Sequence, residues 1–279
     1  MFAHARGNLN ESEWVIVGIP SDLGSLSSIK DYLRAPESIR EASYRVFSPI
    51  FGDIDMDKIY DYGNLDLEDV KSLEDLYNKI YEDIRKIYNK NKKYIFLGGD
   101  HSITYPIIKV LKEEWEDFIL VYFDSHPDLH PDPYINYQSF IYYLIREEVI
   151  KPENIIMLGI SNLSFDEKNI LKDFGITYFT PYDIWGSVKE IAREVGKITD
   201  GRRVYISIDL DVFDSGCGHW IEPFGIRPYH YFEIIKNITG YPIGLDIVEL
   251  FSSEFCENLA AKIIVESIAI FNLYKSFSK

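Results

Sequence analysis

Seven residues, Asp124-Ser-His-Pro-Asp-Leu-His130, place ionisable side chains on four alternate positions directly after the apolar run Phe118 to Phe123. Two other runs end the same way. KYIFLGG is followed by Asp100 and His101, and RVYISIDLD ends on Asp209 and Asp211, with Asp214 three residues further on. Side chains in a strand alternate faces with period two, so Asp124 and His126 share a side, as do Asp209 and Asp211. Asp128 joins them if the loop curls back. Carboxylates this close repel one another unless a cation compensates. Aspartate oxygens and imidazole nitrogens, without thiolates, suit a borderline-hard divalent ion rather than a cysteine-held structural zinc. His101, Asp124, His126, Asp128, Asp209 and Asp211 exceed what one tetrahedral ion needs. Two ions about 3.5–4 Å apart would use them, with carboxylates bridging. Four aspartates balance two divalent ions and leave a hydroxide available as nucleophile.

Each motif has a plainer reading on its own. GGDHS can be a turn and helix cap, D-x-H-x-D a solvated loop, and DLD an ordinary strand end. Their joint occurrence at three strand ends favours the metal reading. His130 continues the alternation but is not needed as a seventh ligand, so it is expected behind the ligands or at a pocket rim. His219 and His230 read as surface histidines, His4 as part of a mobile terminus, and Cys217 as an ordinary thiol. Gly98 and Gly99 are not a phosphate loop, because no Lys-Ser/Thr follows.

These motifs need a scaffold that brings strand ends together. Candidate strands are 14–20, 93–99, 118–124, 154–160, 203–211 and 241–250, mostly continuous apolar runs, as expected for strands covered on both faces. Helical periodicity fills 72–90, with Ser72 as cap, then 102–115, 164–174, 187–196, 229–238 and about 258–277. Strand–helix alternation predicts one three-layer α/β/α domain over residues 1–279 with a mainly parallel sheet, and such sheets bind ligands beyond the carboxyl ends of their strands. The last helix is apolar enough to pack on the sheet or on a neighbouring subunit. The 29 basic and 45 acidic residues leave a net charge of −16, which disfavours nucleic acid and anionic membranes as partners and favours a small cation. The terminus MFAHARGNLNESEW has no apolar core of a signal peptide, and no window is long and apolar enough to span a membrane. Two cysteines are too few for a disulfide framework and fit a reducing cytoplasm.

Gly98-Gly-Asp-His-Ser102, Asp124-Ser-His-Pro-Asp128, Ser207-Ile-Asp-Leu-Asp-Val-Phe-Asp214 and Asp246-Ile-Val-Glu249 resemble, in order and spacing, the motifs of the ureohydrolases: arginase, agmatinase and formimidoylglutamase. The likeness runs over roughly residues 14 to 275. It implies an arginase-deacetylase-like α/β sandwich holding two manganese ions. By that resemblance His101 and Asp128 serve one ion, His126 and Asp211 the other, and Asp124 and Asp209 bridge both. Hydroxide attack on a guanidinium carbon would release urea and an amine. Asp128 would orient the nucleophile, and Glu249 would pair with the substrate guanidinium, a planar fork that suits a carboxylate. Relatives form trimers or hexamers, so a homo-oligomer is expected.

The chain also departs from the family pattern. Ser125 replaces an alanine, and Ser215 a proline. Gln138 occupies the place where many relatives carry a proton-shuttling histidine, and glutamine carries no proton at neutral pH. Residues 215–227 lack the relatives' Gly-Thr-Gly-Thr-Pro-like run. The position that helps arginase hold its substrate's carboxylate is His130 here, which makes His130 a candidate substrate contact. An acidic rim favours agmatine, cleaved to putrescine and urea. The alternatives are guanidinobutyrate, arginine or formimidoylglutamate as substrate, or a metal-binding chain without turnover.

Overall fold

The computed structural model of the chain describes residues 1–26, 32–218 and 223–273. Eight strands form one sheet: β1 Trp14–Gly18, β2 Ile59–Asn64, β3 Lys93–Leu97, β4 Ile119–Phe123, β5 Ile155–Leu158, β6 Thr177–Phe179, β7 Arg203–Asp209 and β8 Tyr241–Val248. Their order is β2-β1-β3-β8-β7-β4-β5-β6, and every pairing is parallel. The helices are α1 Ala35–Val46, α2 Leu73–Ile87, α3 Thr104–Glu114, α4 Phe140–Arg146, α5 Phe165–Phe174, α6 Pro181–Thr199, α7 Pro228–Ile235 and α8 Glu254–Leu273.

Alternate residues of each central strand feed opposite cores. Ile119, Val121 and Phe123 of β4 join the core built with α1, α6, α7 and α8, while Leu120 and Tyr122 join the core built with α2 to α5. The result is the expected three-layer sandwich, with the sheet wholly parallel. The six strands read from sequence are present, but all six expected segments overrun the carboxyl ends. Residues 98–99 and 249–250 have left the sheet and 210–211 open a short 3-10 helix, because the chain must bend there to present the motifs. Two strands were not anticipated. Both β2 and β6 are edge strands with one neighbour each and half-exposed sequences, so they lack a continuous apolar run.

Local signals set the helix ends. Ser72 accepts the Asp75 amide, and Ser164 with Glu167 closes a reciprocal cap on α5. The helix expected at 187–196 runs instead from Pro181 to Thr199, broken by non-helical backbone at Ser187. Nor is the N-terminus loose: Phe2 and Ala3 are buried, and their amides donate to Asp61 and Ser43. His4 itself is exposed, edge-on to Tyr44 and Phe47. His219 lies outside the described residues, and His230 caps α7 by accepting the Arg227 amide.

The ordinary-thiol reading of Cys217 does not hold. Cys217 and Cys256 form a disulfide with Cα atoms 5.1 Å apart, closing a separation of 39 residues. The loop after β7 and the first turn of α8 meet at the same end of the sheet. The cysteine argument for a reducing compartment loses its basis with this pairing. Among the described residues no helix is long and apolar enough to cross a membrane.

Candidate metal centre

Four neighbouring strands, β3-β8-β7-β4, carry the motifs at their carboxyl ends. Gly99 makes the first turn possible: a Cβ there would sit 1.9 Å from the Ser21 carbonyl oxygen. That turn delivers His101. Asp128 and Glu249 adopt left-handed backbone with φ of 50° and 58°. Non-glycine residues pay strain for that conformation, and such strain concentrates at functional sites. At Asp128 it is the curl that returns the loop toward Asp124.

Two groups of side chains could each hold a cation: His101, Asp124 and Asp128, and Asp124, His126 and Asp211, with ligand atoms in each group within 4.8 Å of one another. Asp124 belongs to both. Its Oδ2 lies 2.9 Å from His101 Nδ1, and its Oδ1 lies 3.7 Å from His126 Nδ1. Asp211 Oδ2 lies 2.9 Å from His126 Nδ1. Asp209 borders the first group, with Oδ2 3.4 Å from His101 Nδ1, while its Oδ1 accepts the Asp211 amide at 2.7 Å. Thus all six expected ligands come together, Asp209 at the margin.

The His101 ring is fixed from behind. Ser207 Oγ donates to Asp246 Oδ1 at 2.6 Å, so it accepts from His101 Nε2 at 2.9 Å. Without a metal, Nδ1–H donates to Asp124; with one, a neutral ring would turn its Nδ1 lone pair to the ion, the usual arrangement of a ligating histidine held by a buried acid. Tyr205 and Thr104 also donate to Asp246, which keeps that acid satisfied.

The electrostatics show what the cluster lacks. Among the described residues, these four aspartates pair with His101 and His126 and with no lysine or arginine. Burial would hold both imidazoles down, but hydrogen bonds and charge from Asp124, joined at His126 by Asp211, push His101 up to about 9 and His126 up to about 12. Burial, then the Asp124 charge, drives Asp128 well above the carboxylate range and raises Asp211. Burial and then Asp211 do the same to Asp209. Only Asp124 is lowered: burial opposes, and the two imidazoles prevail. Without a metal the cluster must hoard protons. Divalent cations would satisfy the same charge, and oxygen and imidazole donors fit them.

A cavity of about 130 Å³ opens over these groups, walled by His126, Asp128, Tyr137, Gln138, Asn162, Asp209, Asp211 and Glu249. Glu249 is buried and accepts the His101 amide at 2.9 Å. Burial, then the charge of Asp100, pushes its carboxyl up to about 8. His130 stands outside this wall. Its Nδ1 lies 2.9 Å from Asp132 Oδ1, while Asp132 Oδ2 accepts from Gln138 Nε2 at 3.1 Å and Asn136 Nδ2 at 2.7 Å. Asp132 escaped the sequence reading although it extends the alternation His126, Asp128, His130 by one more step. Tyr122 escaped it too, although it precedes Asp124 by two on the same strand face.

The Arginase family model matches residues 12–269. The chain belongs to the arginase family. Its members are metal-dependent hydrolases acting on guanidino C–N bonds. An uncharacterized 32.2 kDa protein of Methanothermus fervidus is 30% identical over 252 residues, covering 86% of this chain and 85% of its own. The agmatinase of Bacillus anthracis is 28% identical over 262 residues, covering 90% of this chain and 87% of its own. The crystal structure of the agmatine ureohydrolase of Thermoplasma volcanium superposes with a TM-score of 0.87 at 26% identity, covering all of this chain and 96% of that one.

Proposed function

We propose that the protein binds two manganese ions and hydrolyses agmatine to putrescine and urea. The observation that carries the substrate choice is the cavity wall: Asp128, Asp209, Asp211 and Glu249 line it, with no lysine or arginine among its described residues. After two divalent ions neutralise the ligands, Glu249 is the acid left over: burial favours its protonated form, and a cationic substrate would draw it to the ionised one. The agmatinase and agmatine ureohydrolase relatives support the same reading.

The shared Asp124 supports two ions rather than one. Bound divalent ions would bring the pKa of water near neutrality and so supply hydroxide as nucleophile. The protein's own residues do the rest. Asp124, shared by both groups, and Asp209 beside them would hold the two ions together with His101, His126, Asp128 and Asp211; Asp128 would also orient the water, and Glu249 would receive the guanidinium N–H fork. Gln138 donates its amide to Asp132, so its carbonyl oxygen is the end left to accept from a substrate amine. His130, held by the same Asp132 outside the cavity wall, is the residue we assign to the tail of a longer substrate.

The test is urea release with manganese over agmatine, arginine, guanidinobutyrate and formimidoylglutamate. Agmatine is expected to have the highest kcat/KM. Formamide without urea would assign formimidoylglutamate instead. Gln138 in the cavity wall favours one other reading, a metal-binding chain without turnover. Manganese uptake with no product from any of the four selects it.

A further inference from the structure

Tyr122 is wholly buried near the end of β4, and its ring stacks on the His101 imidazole with centroids 5.1 Å apart and planes 13° apart. Its hydroxyl lies 2.6 Å from Asp124 Oδ2, 2.6 Å from Asp128 Oδ2 and 3.4 Å from His101 Nδ1. One phenol therefore touches a ligand atom of every member of the first group. For Asp128 it supplies the side-chain hydrogen bond among the described residues.

The distances are those of short, charge-assisted O–H···O bonds. A phenol has one proton to donate. Two ionised carboxylates cannot both receive it, so the second contact is tolerable only with another proton or a cation between the carboxylates. The hydroxyl thus gathers two acids to one point and leaves a charge that a divalent ion can fill. The left-handed backbone at Asp128 aims that carboxylate inward, and Tyr122 holds it there.

We propose that the Tyr122 hydroxyl is a positioning group for the ion held by His101, Asp124 and Asp128, keeping the two carboxylates at chelating separation and so setting that ion's affinity. This rests on the metal reading above. Partners that orient ligands from behind typically contribute about 10–100-fold to metal affinity.

The experiment is calorimetric titration of the metal-free full chain with manganese, comparing wild type and Tyr122→Phe, each also in a His126→Ala background that retains only the first group. Phenylalanine keeps the ring and its stack. The expected result is a loss of about 10–100-fold at the first site and less than about threefold at the second. Tyr231→Phe is the control: it deletes a buried hydroxyl bonded to Ser267 at 2.8 Å in the opposite core and should leave both affinities unchanged. Unchanged first-site affinity in Tyr122→Phe overturns the proposal and leaves the metal reading standing. Equal weakening of both sites overturns it as general loosening, and a variant that fails to fold makes the hydroxyl a determinant of the fold instead. A wild-type chain that takes up no manganese refutes the metal reading and this role together.

Discussion

Breaking the Cys217–Cys256 bond should loosen the segment that lies directly on Asp211. The bond closes a separation of 39 residues. In the chain-entropy description, a loop of that size restricts the unfolded chain by about 4 kcal/mol at 25 °C. For a chain of this size that corresponds to a fall in Tm of roughly 8–16 °C. The local effect is sharper than the global one. Gly218, next to Cys217, packs so closely that a Cβ would sit 2.2 Å from Asp211 Cβ, and the Phe251 amide donates to the Cys217 carbonyl at 2.8 Å. Thus the disulfide ties the cover of Asp211 to α8, while the Cys217 carbonyl ties it to the turn after Glu249. Melting curves for the wild type, the wild type reduced by a dithiol and then desalted, and Cys217→Ser/Cys256→Ser should show the two altered forms falling together. Manganese affinity at the group containing Asp211 should fall with them. A thiol count on unreduced, denatured protein should find none free. Two free thiols, or a Tm indifferent to reduction, would refute the reasoning.

Three further outcomes follow from the site. Asp124→Asn should weaken both metal ions while Asp211→Asn weakens chiefly the one at His126. A carboxylate charge about 4 Å away at an effective dielectric near 20 is worth about 4 kcal/mol against each unit of the ion's charge, or at least roughly a thousandfold, so metal content after gel filtration should drop from two ions toward none in the first variant; retention of two would disprove the bridge. Manganese affinity should rise with pH, because Asp128, Asp209 and Asp211 are raised and His101 and His126 stand up to about 9 and about 12 without metal, so binding must expel protons; each proton displaced adds about tenfold per pH unit. Titrations in buffers of different ionisation enthalpy count those protons, and a pH-independent affinity would contradict the charge accounting. Gln138→His should raise kcat by about tenfold or more if proton delivery to the leaving amine limits turnover, since general acid groups contribute roughly 10²–10⁴-fold; an unchanged rate on agmatine would show that the step is served otherwise.

What the sequence made legible was whatever depends on short-range periodicity. The central strands are continuous apolar runs because both faces are covered, and the ligands stand out because ionisable residues directly after such runs need a reason. Edge strands have one partner and a wet face, so β2 and β6 look like loops. Helix α1 was missed for a related reason: its buried Arg40 appears polar in a sequence, yet it pairs with Asp61 of β2 at 2.9 Å, a partner 21 residues away.

The residues overlooked at the site share one property: their roles depend on partners that strand pairing and loop closure bring together. Cys217 finds Cys256 only because β7 and β8 are neighbours. Asp132 orients Gln138 only because the loop folds back on itself. Tyr122 was hidden by abundance, one of 21 tyrosines whose default role is to pack a ring. Yet the alternation that marked Asp124 and His126 as companions also passes through position 122. A strand that delivers a carboxylate to a metal must carry the residue two before it on the same face, one step deeper. At that depth a side chain must be apolar or have its polar atom satisfied by the ligands themselves. Tyrosine does the second, so its hydroxyl belongs to the metal centre's charge balance as much as its ring belongs to the core.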